Sequence, residues 1–400
     1  MDFMQRALDL AEGAAGGLAP RPPVGAVIVA PDGETIIGEG ATQPNPGPHA
    51  EVVALQKAKE SAEDGTIYCT LEPHQNHATT PPCTQAIIDA GIATVVCPTV
   101  DPNPLVAGRG FERLKSAGIE VINHVDDVSQ QRADELIEGF AKHIKTGLPF
   151  ITVKWAMSLD GKIATRNRDS KWITGPAARA HAHSLRYRSD AVMTGIGTVL
   201  ADNPRLTARD SRSGKRLCGR PYIRVVIDSN AKMPADAALL EEDGEIIQAV
   251  ARNTIFPFDQ QSRNIALRFD QQGGSIALPL DDQGGFKGGL NRGHPSRKVI
   301  ITPSKTEDAV DLAAVMKHLG ERGCINVLVE AGERLTGGLF DRGLVDKVVA
   351  YLSTDKIIGG SDALSPVGGH GPSLMSDVAR LKNVRVEQFG ADIAIIGYVG

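Results

Sequence analysis

Three residues able to bind a metal ion, together with one carboxylate, lie near the start of the chain. His49 and Glu51 stand at the start of a predicted helix, His74 ends a predicted strand, and Cys83 opens the next helix. A zinc site for hydrolytic deamination needs three protein ligands, an open position for water, and a nearby carboxylate that is not a ligand. The sequence therefore predicts zinc ligands His49, His74 and Cys83, with Glu51 as the proton shuttle.

Each of these residues also has an ordinary interpretation. A His-x-Glu pair such as His49 and Glu51 usually marks a solvated helix start, and Cys83 can be a buried core cysteine. The complete set, in order and at strand–helix junctions, is much less expected by accident. We therefore favour the metal site.

The composition limits the classes of protein to consider. With 400 residues the chain is long enough for two or three domains. A formal net charge of −5 argues against a general nucleic-acid binder or a polybasic membrane anchor. Five cysteines are too few and too scattered for a disulfide framework, and no apolar run is long enough for a membrane span. These features predict a soluble, cytoplasmic, multidomain protein.

The first 145 residues alternate between helix-like and strand-like segments, which predicts an α/β sandwich around a central sheet. Strands are predicted at 24–29, 66–71, 93–97 and 119–121, with a hairpin partner for the first at 34–37. Helices are predicted at 49–59, 83–90, 109–117 and 126–145. Gly147 and Pro149 end the last helix, so the domain boundary is placed after residue 147.

A second α/β pattern begins at Phe150. Its predicted strands include 150–153, 191–193, 223–227, 299–301, 326–329 and 347–351. Between Asp236 and Ser296 the pattern weakens, and residues 271–293 are rich in glycine. This segment is interpreted as a flexible surface excursion.

Several motifs of the first domain resemble the deaminase half of the bifunctional deaminase/reductase family of bacterial riboflavin biosynthesis. They are Pro48-His49-Ala50-Glu51-Val52, Thr70-Leu71-Glu72-Pro73, Thr80-Pro81-Pro82-Cys83-Thr84, and Asp101-Pro102-Asn103-Pro104 with Gly108-Arg109-Gly110. The resemblance implies a cytidine-deaminase-like α/β/α sandwich that binds zinc. It also implies hydrolytic deamination of 2,5-diamino-6-ribosylamino-4(3H)-pyrimidinone 5′-phosphate, with release of ammonia.

The first domain departs from this family at several positions. His74 stands where the family has cysteine, and Arg21 and Thr42 replace its usual asparagine and histidine. Asn76 and Thr79 lie in the altered polar run between the later ligands. Imidazole is an ordinary zinc ligand, so metal chemistry can survive the change at His74. The positions expected to hold the substrate have changed more, which leaves a catalytically silent domain as an alternative.

The second domain resembles the reductase half of the same family over about Phe150 to Gly400, outside the glycine-rich segment. The resemblance implies a dihydrofolate-reductase-like fold that uses NADPH to reduce the ribosyl side chain to ribityl. It assigns six positions to the cofactor: Met157, Trp172, Thr198, Asp202, Ser229 and Gly332. It assigns six others to the substrate: Lys154, Ser170, Arg186, Leu206, Arg209 and Glu330.

The residues themselves indicate only a phosphate-binding α/β domain. A phosphorylated sugar needs fixed cations, and Lys154, Arg186 and Arg209 are candidates on three separate segments. For any one of these residues, an ordinary surface role is the simpler explanation. A small phosphorylated pyrimidine is thus the expected partner, with no nucleic acid, no membrane and a possible homo-oligomer. A nucleic-acid-binding or editing protein on the deaminase fold remains as an alternative of another class.

Overall fold

The structure is a computed structural model that forms two compact units, Met1–Pro149 (unit 1) and Phe150–Gly400 (unit 2). It describes residues 2–75, 81–104, 106–210, 213, 215–217, 222–251, 265–269, 275–278, 297–301 and 309–400. The predicted boundary after residue 147 lies in the short connection between the units. Gly147 ends the preceding helix with a φ of 72°, a left-handed conformation that glycine adopts without strain.

Unit 1 is built on a five-stranded mixed sheet, as the α/β prediction requires. Its helices are α1 (Phe3–Ala14), α2 (Ala50–Ala58), α3 (Cys83–Asp89), α4 (Arg109–Ser116) and α5 (Asp127–Thr146). Its strands are β1 (Gly25–Val29), β2 (Ile36–Ala41), β3 (Thr66–Cys69), β4 (Thr94–Val96) and β5 (Glu120–Ile122). The strand order is β2-β1-β3-β4-β5, with parallel pairing from β3 to β5.

Helix α2 lies very close to strand β2 because glycines face it. A Cβ atom on Gly40 would lie 2.1 Å from the carbonyl oxygen of Ala50, and one on Gly38 would lie 2.3 Å from that of Ala54. On the helix, the side chains of Ala50 and Ala54 are small and buried. This close packing fixes the position at which α2 begins.

Unit 2 contains an eleven-stranded sheet flanked by four helices among the residues that the structure describes. The helices are α6 (Pro176–Arg188), α7 (Ile196–Asp202), α8 (Leu312–Glu321) and α9 (Glu333–Phe340). The strands are β6 (Phe150–Met157), β7 (Ala191–Gly195), β8 (Ile223–Ile227), β9 (Ile246–Val250), β10 (Ile265–Phe269), β11 (Ser275–Leu278), β12 (Arg297–Ile301), β13 (Asn326–Val329), β14 (Lys347–Leu352), β15 (Leu381–Phe389) and β16 (Asp392–Val399). Their order is β11-β10-β12-β9-β8-β7-β13-β6-β14-β16-β15.

The sequence pattern is weak over residues 236–296, and the sequence analysis missed strands there. Strand β9 lies inside this stretch, yet it is fully buried and pairs with β8 and β12 in the middle of the sheet. Its central residue Gln248 interrupts the apolar pattern of the strand. The side-chain amide of Gln248 donates to the buried carboxylate of Asp228 at 2.7 Å, so this polar residue is satisfied inside the sheet. Strand β11 falls within the glycine-rich segment 271–293 and pairs with β10. The other residues of that segment lie outside the described part of the chain.

The central strands of unit 2 bring several loops to one edge. Strands β8, β7, β13 and β6 are neighbours and run parallel. Their carboxyl ends therefore meet at the same edge of the sheet, where α/β folds commonly bind ligands. In the described part of the chain, no helix has the length and apolar character that crossing a membrane requires.

Candidate active sites

The three predicted metal ligands meet in unit 1. The ligand atoms of His49, His74 and Cys83 all lie within 4.8 Å of one another. The Sγ of Cys83 is 3.5 Å from Nδ1 of His49, and the rings of the two histidines are 4.5 Å apart between centroids. His49 is the N-cap of α2, His74 follows β3, and Cys83 is the first residue of α3. Two ligands thus lie at helix starts, and His74 lies in the loop that follows β3.

The electrostatics of this cluster suit a cation. Burial lowers the pKa of His49 to about 4, with smaller contributions from the charges of His74 and Arg21, so its ring is neutral at pH 7. Burial, together with the nearby Glu51 carboxylate, raises the pKa of the Cys83 thiol. Two half-buried imidazoles and one buried sulfur form a donor set that is typical of zinc, whereas magnesium and calcium bind oxygen ligands. The residues present therefore fit a zinc ion.

Glu51 lies beside the cluster without belonging to it. It is only 3% exposed, although it sits in the first turn of α2, and its carboxylate interacts with the Cys83 side chain. Burial raises the pKa of Glu51. A buried carboxyl group with a raised pKa, next to a metal site, is suited to accepting and returning a proton.

Two of the residues at altered positions have structural contacts near this cluster. Nη1 of Arg21 donates to the carbonyl of Gly47 at 2.6 Å, in the loop that leads to His49. The buried Thr42 hydroxyl accepts the N–H of Val24 at 3.2 Å. Asn76 and Thr79 lie outside the described residues.

Glu72 is an organising residue to which the sequence analysis assigned no role. Its buried carboxylate accepts backbone N–H groups from Asp101, Gly108 and Gly110 at 2.8–3.0 Å, and from Phe111 at 3.3 Å. It thereby caps α4 and fixes the loop opposite His74. The Leu71-Glu72-Pro73 motif and the glycines of the 108–110 motif were both visible in the sequence, but nothing there showed that they meet.

A second cluster forms in unit 2 around Glu330, which follows β13. Its carboxylate accepts Nε and Nη2 of Arg186 at 2.5 and 2.9 Å, and Nζ of Lys154 at 3.2 Å. Burial alone would raise the pKa of Glu330, but the charges of Arg186 and Lys154 outweigh it and hold the pKa well below its usual range. Three of the six predicted substrate residues are thus in direct contact.

Arg209 and Leu206 lie on a segment next to this cluster. Nη1 of Arg186 donates to the carbonyl of Thr207 at 2.9 Å, which joins the segment to the trio. The guanidinium of Arg209 donates to the Thr207 hydroxyl at 2.8 Å and to Glu242 at 2.5 Å. Arg186 and Arg209 are therefore both paired with carboxylates, which sequence analysis did not predict.

Ser170 is not in contact with Glu330. Its hydroxyl donates to Asp202, the last residue of α7, at 3.0 Å. One predicted substrate residue and one predicted cofactor residue are therefore neighbours. Trp172 is 65% exposed, with the guanidinium of Arg179 4.6 Å from its ring centroid.

The remaining predicted cofactor residues lie near the carboxyl ends of adjacent strands. Met157 ends β6, Ser229 follows β8, Thr198 is in α7 after β7, and Gly332 is the N-cap of α9 after β13. A Cβ atom on Gly332 would meet nothing within 4 Å, so the backbone there borders open space. A ligand can approach this edge closely, which fits a dinucleotide cofactor.

Two family models match the chain. Residues 149–395 match the RibD C-terminal domain, and residues 1–99 match the cytidine and deoxycytidylate deaminase zinc-binding region. The two matches fall on units 2 and 1.

Individual relatives are similar over nearly the whole chain. The riboflavin biosynthesis protein RibD of Escherichia coli K12 is 36% identical, over 98% of this chain and 97% of its own. That of Actinobacillus pleuropneumoniae is 35% identical, over 100% and 95%. Among solved structures, Acinetobacter baumannii RibD (form 1) superposes with a TM-score of 0.76 at 32% identity, covering 100% and 98% of the two chains. A Thermotoga maritima diaminohydroxyphosphoribosylaminopyrimidine deaminase/5-amino-6-(5-phosphoribosylamino)uracil reductase gives the same TM-score, identity and coverage.

Proposed function

The chain belongs to the RibD family of riboflavin-biosynthesis proteins, and on this basis we propose that its units catalyse two consecutive reactions on a phosphorylated pyrimidine. It is a bifunctional deaminase and reductase. In this proposal, unit 1 deaminates 2,5-diamino-6-ribosylamino-4(3H)-pyrimidinone 5′-phosphate by hydrolysis. Unit 2 then reduces the ribosyl side chain to ribityl, with NADPH as hydride donor.

The observation that carries the deaminase assignment is the convergence of His49, His74 and Cys83 beside a buried carboxylate. Zinc bound there supplies a Lewis acid that makes water a nucleophile at neutral pH. Because Glu51 lies next to the ligands, its carboxylate can take one proton from the attacking water and deliver it to the ring nitrogen. It can then take the second proton, from the hydroxyl group added to the ring, and deliver it to the leaving amine, so that a carbonyl and ammonia are formed. Because His74 is a neutral imidazole where the resembled family has a cysteine thiolate, a zinc ion held here would keep more positive charge and would favour the loss of a proton from water.

In unit 2 we assign substrate binding to the Glu330 cluster and to the segment that carries Leu206 and Arg209. Lys154 and Arg186 provide fixed positive charge, and Glu330 keeps both in place and can accept from a ribose hydroxyl. Ser170 is assigned to the same substrate. These contacts hold and orient the sugar phosphate while hydride is transferred.

We assign the nicotinamide cofactor to the adjoining edge of the sheet. The residues proposed to contact it are Met157, Trp172, Thr198, Asp202, Ser229 and Gly332. The open space at Gly332 supports this placement, since a side chain there would narrow the approach to the backbone. The choice of NADPH over NADH is part of the proposal.

The deaminase assignment is tested by measuring ammonia release from the diamino substrate without NADPH. Wild-type protein should release ammonia, and Glu51→Gln should be slower by roughly 10²–10⁴-fold, because general acid–base catalysis contributes about that much. Emission spectroscopy should find the same amount of zinc in both proteins, whereas Cys83→Ala should contain none. Ammonia release by Glu51→Gln at the wild-type rate would contradict the assignment. No release by the wild-type protein would favour the alternative, a reductase joined to a silent deaminase domain.

The reductase assignment is tested with the deaminated substrate. We expect oxidation of NADPH to follow addition of the phosphorylated compound, and NADH to be used less efficiently. Absence of NADPH oxidation by folded protein would contradict this half of the proposal. A gel-shift with single-stranded and duplex nucleic acid tests the alternative of an editing protein, for which we expect no binding. A cytoplasmic location and assembly into a homo-oligomer also remain proposals.

A further inference from the structure

The segment Leu206–Arg209 is held in place through its backbone by three side chains from outside it. The hydroxyl of Tyr222 donates to the carbonyl of Leu206. Nη1 of Arg186 donates to the carbonyl of Thr207 at 2.9 Å. The backbone N–H of Arg209 donates to Nδ1 of His183 at 3.3 Å. The segment is therefore fixed to the rest of unit 2 at both of its ends.

Two of these contacts come from one face of α6. His183 and Arg186 are three residues apart, so their side chains lie on neighbouring positions of the helix. Arg186 also binds Glu330. The sequence analysis did not include His183 among the site residues. Because α6 holds both the cluster and the segment, it fixes the distance between Arg209 and the Glu330 trio.

The contact of His183 determines where the guanidinium of Arg209 can lie. The side chain of Arg209 extends from a backbone that His183 fixes and then binds the Thr207 hydroxyl at 2.8 Å and Glu242 at 2.5 Å. Without the contact at Nδ1, Arg209 keeps only an indirect tie to α6, through the Arg186 contact at Thr207. Its guanidinium still binds Thr207 and Glu242, but it is held less firmly in the orientation toward an anion bound near Lys154 and Arg186.

We propose that His183 is a positioning residue of the reductase unit, which fixes Arg209 for binding of the phosphorylated substrate. This inference rests on the proposed function, in which Leu206 and Arg209 contact that substrate. In this role His183 contacts neither the cofactor, which donates the hydride, nor the reacting carbon of the substrate. Its loss should therefore weaken substrate binding and leave the chemical step and cofactor binding unchanged.

The proposed role depends on an unprotonated Nδ1, since only a nitrogen lone pair can accept the Arg209 N–H. Burial lowers the pKa of His183, and the positive charges of Arg186 and Lys154 act in the same direction. Glu330 and the backbone of Thr207 act in the opposite direction but do not reverse the shift. The contact thus persists at neutral pH and below it, and is lost when acid finally protonates the ring.

The experiment compares His183→Ala and His183→Asn in the full-length protein. The Asn Oδ1 lies close to the position of Nδ1 and is an acceptor at every pH. We expect His183→Ala to raise both the Kd and the KM of the deaminated phosphorylated substrate about tenfold, the equivalent of one hydrogen bond. The kcat and the KM of NADPH should change by less than about twofold. Ser184→Ala, a change on the same helix with no contact to the segment, should match wild type.

The conservative variant separates positioning from general damage to the fold. His183→Asn should restore substrate affinity at pH 7.5, and its affinity should fall less than that of wild type as the pH is lowered. A His183→Ala protein with unchanged substrate Kd overturns the inference. So does an Asn variant as impaired as the Ala variant, or a parallel loss in kcat and NADPH binding. Wild-type protein that binds the substrate but does not oxidise NADPH would contradict the proposed function. The Kd values of the His183 variants could still be compared in that case, because Kd is measured without turnover.

Discussion

Replacing Glu330 by glutamine should strongly destabilise unit 2. The carboxylate, with a side chain only 11% exposed, accepts two hydrogen bonds from Arg186 and one from Lys154. A glutamine amide keeps one acceptor oxygen, but its NH₂ group faces donors. Two largely buried cations thereby lose the negative charge that they share. Breaking a buried ion pair from one side costs about 3–5 kcal/mol of unfolding free energy. The control Glu321→Gln removes an exposed charge 3.8 Å from Lys317 and should cost less than about 0.5 kcal/mol.

Tryptophan fluorescence reports this loss selectively. Both tryptophans of the chain, Trp155 and Trp172, lie in unit 2, so urea unfolding followed by their emission is insensitive to unit 1. With a slope of about 2–3 kcal/mol per molar urea, Glu330→Gln should lower the midpoint by about 1–2.5 M. A shift no larger than that of Glu321→Gln would refute the reasoning.

The pH dependence of Glu330 gives the same prediction a second check. The folded protein lowers the pKa of this carboxyl group, so its stabilising effect is complete above the unfolded value near 4.5. The effect is lost as the pH falls from there toward the folded pKa. The difference in stability between wild type and Glu330→Gln should therefore be constant from pH 6 to 8 and shrink below about pH 4.5. A difference that grew in acid would contradict the charge-based explanation.

Two further substitutions test the elements that position the metal ligands. Gly40→Ala would put a methyl group 2.1 Å from the carbonyl oxygen of Ala50. It should therefore lower the free energy of unfolding by about 1–3 kcal/mol and reduce the zinc content. A Cβ atom on Gly13 would meet nothing within 4 Å, so the control Gly13→Ala should have neither effect. Thermal unfolding and metal analysis measure both, and equal behaviour of the two variants would contradict the packing argument. Glu72→Gln should speed hydrogen exchange at the Gly110 amide by about tenfold or more, because a hydrogen bond to a charged group contributes about 1.5–3 kcal/mol. Unchanged exchange at this amide would show that the bond adds no protection.

The metal cluster was predictable because its residue types are specific and two of them stand at helix starts. His49 precedes an apolar helical pattern, and Cys83 follows Pro82, so both helix starts were visible in the sequence. The α/β fold of both units and the family were predicted for similar reasons.

Pairings between distant residues could not be predicted from the sequence. The sequence marked Lys154, Arg186 and Arg209 as cations, but not that Glu330 and Glu242 neutralise them, because charge pairing depends on the tertiary fold. Strand β9 was missed for a related reason. Its Gln248 looks polar in sequence, yet its amide is satisfied by a buried carboxylate from the loop after β8.

The topology of unit 2 has a consequence for its synthesis on the ribosome. Strand β6 is made first but pairs with β13 and β14, and Lys154 on β6 precedes its partner Glu330 by 176 positions. At roughly 5–20 residues per second, β6 waits roughly 9–35 s for the strands that flank it. Unit 1 has by then left the ribosome with all of its strand partners, whereas β6 still lacks both of its neighbours. An unpaired strand in a nascent chain is prone to aggregation, so we expect chaperones that act during translation to protect this one.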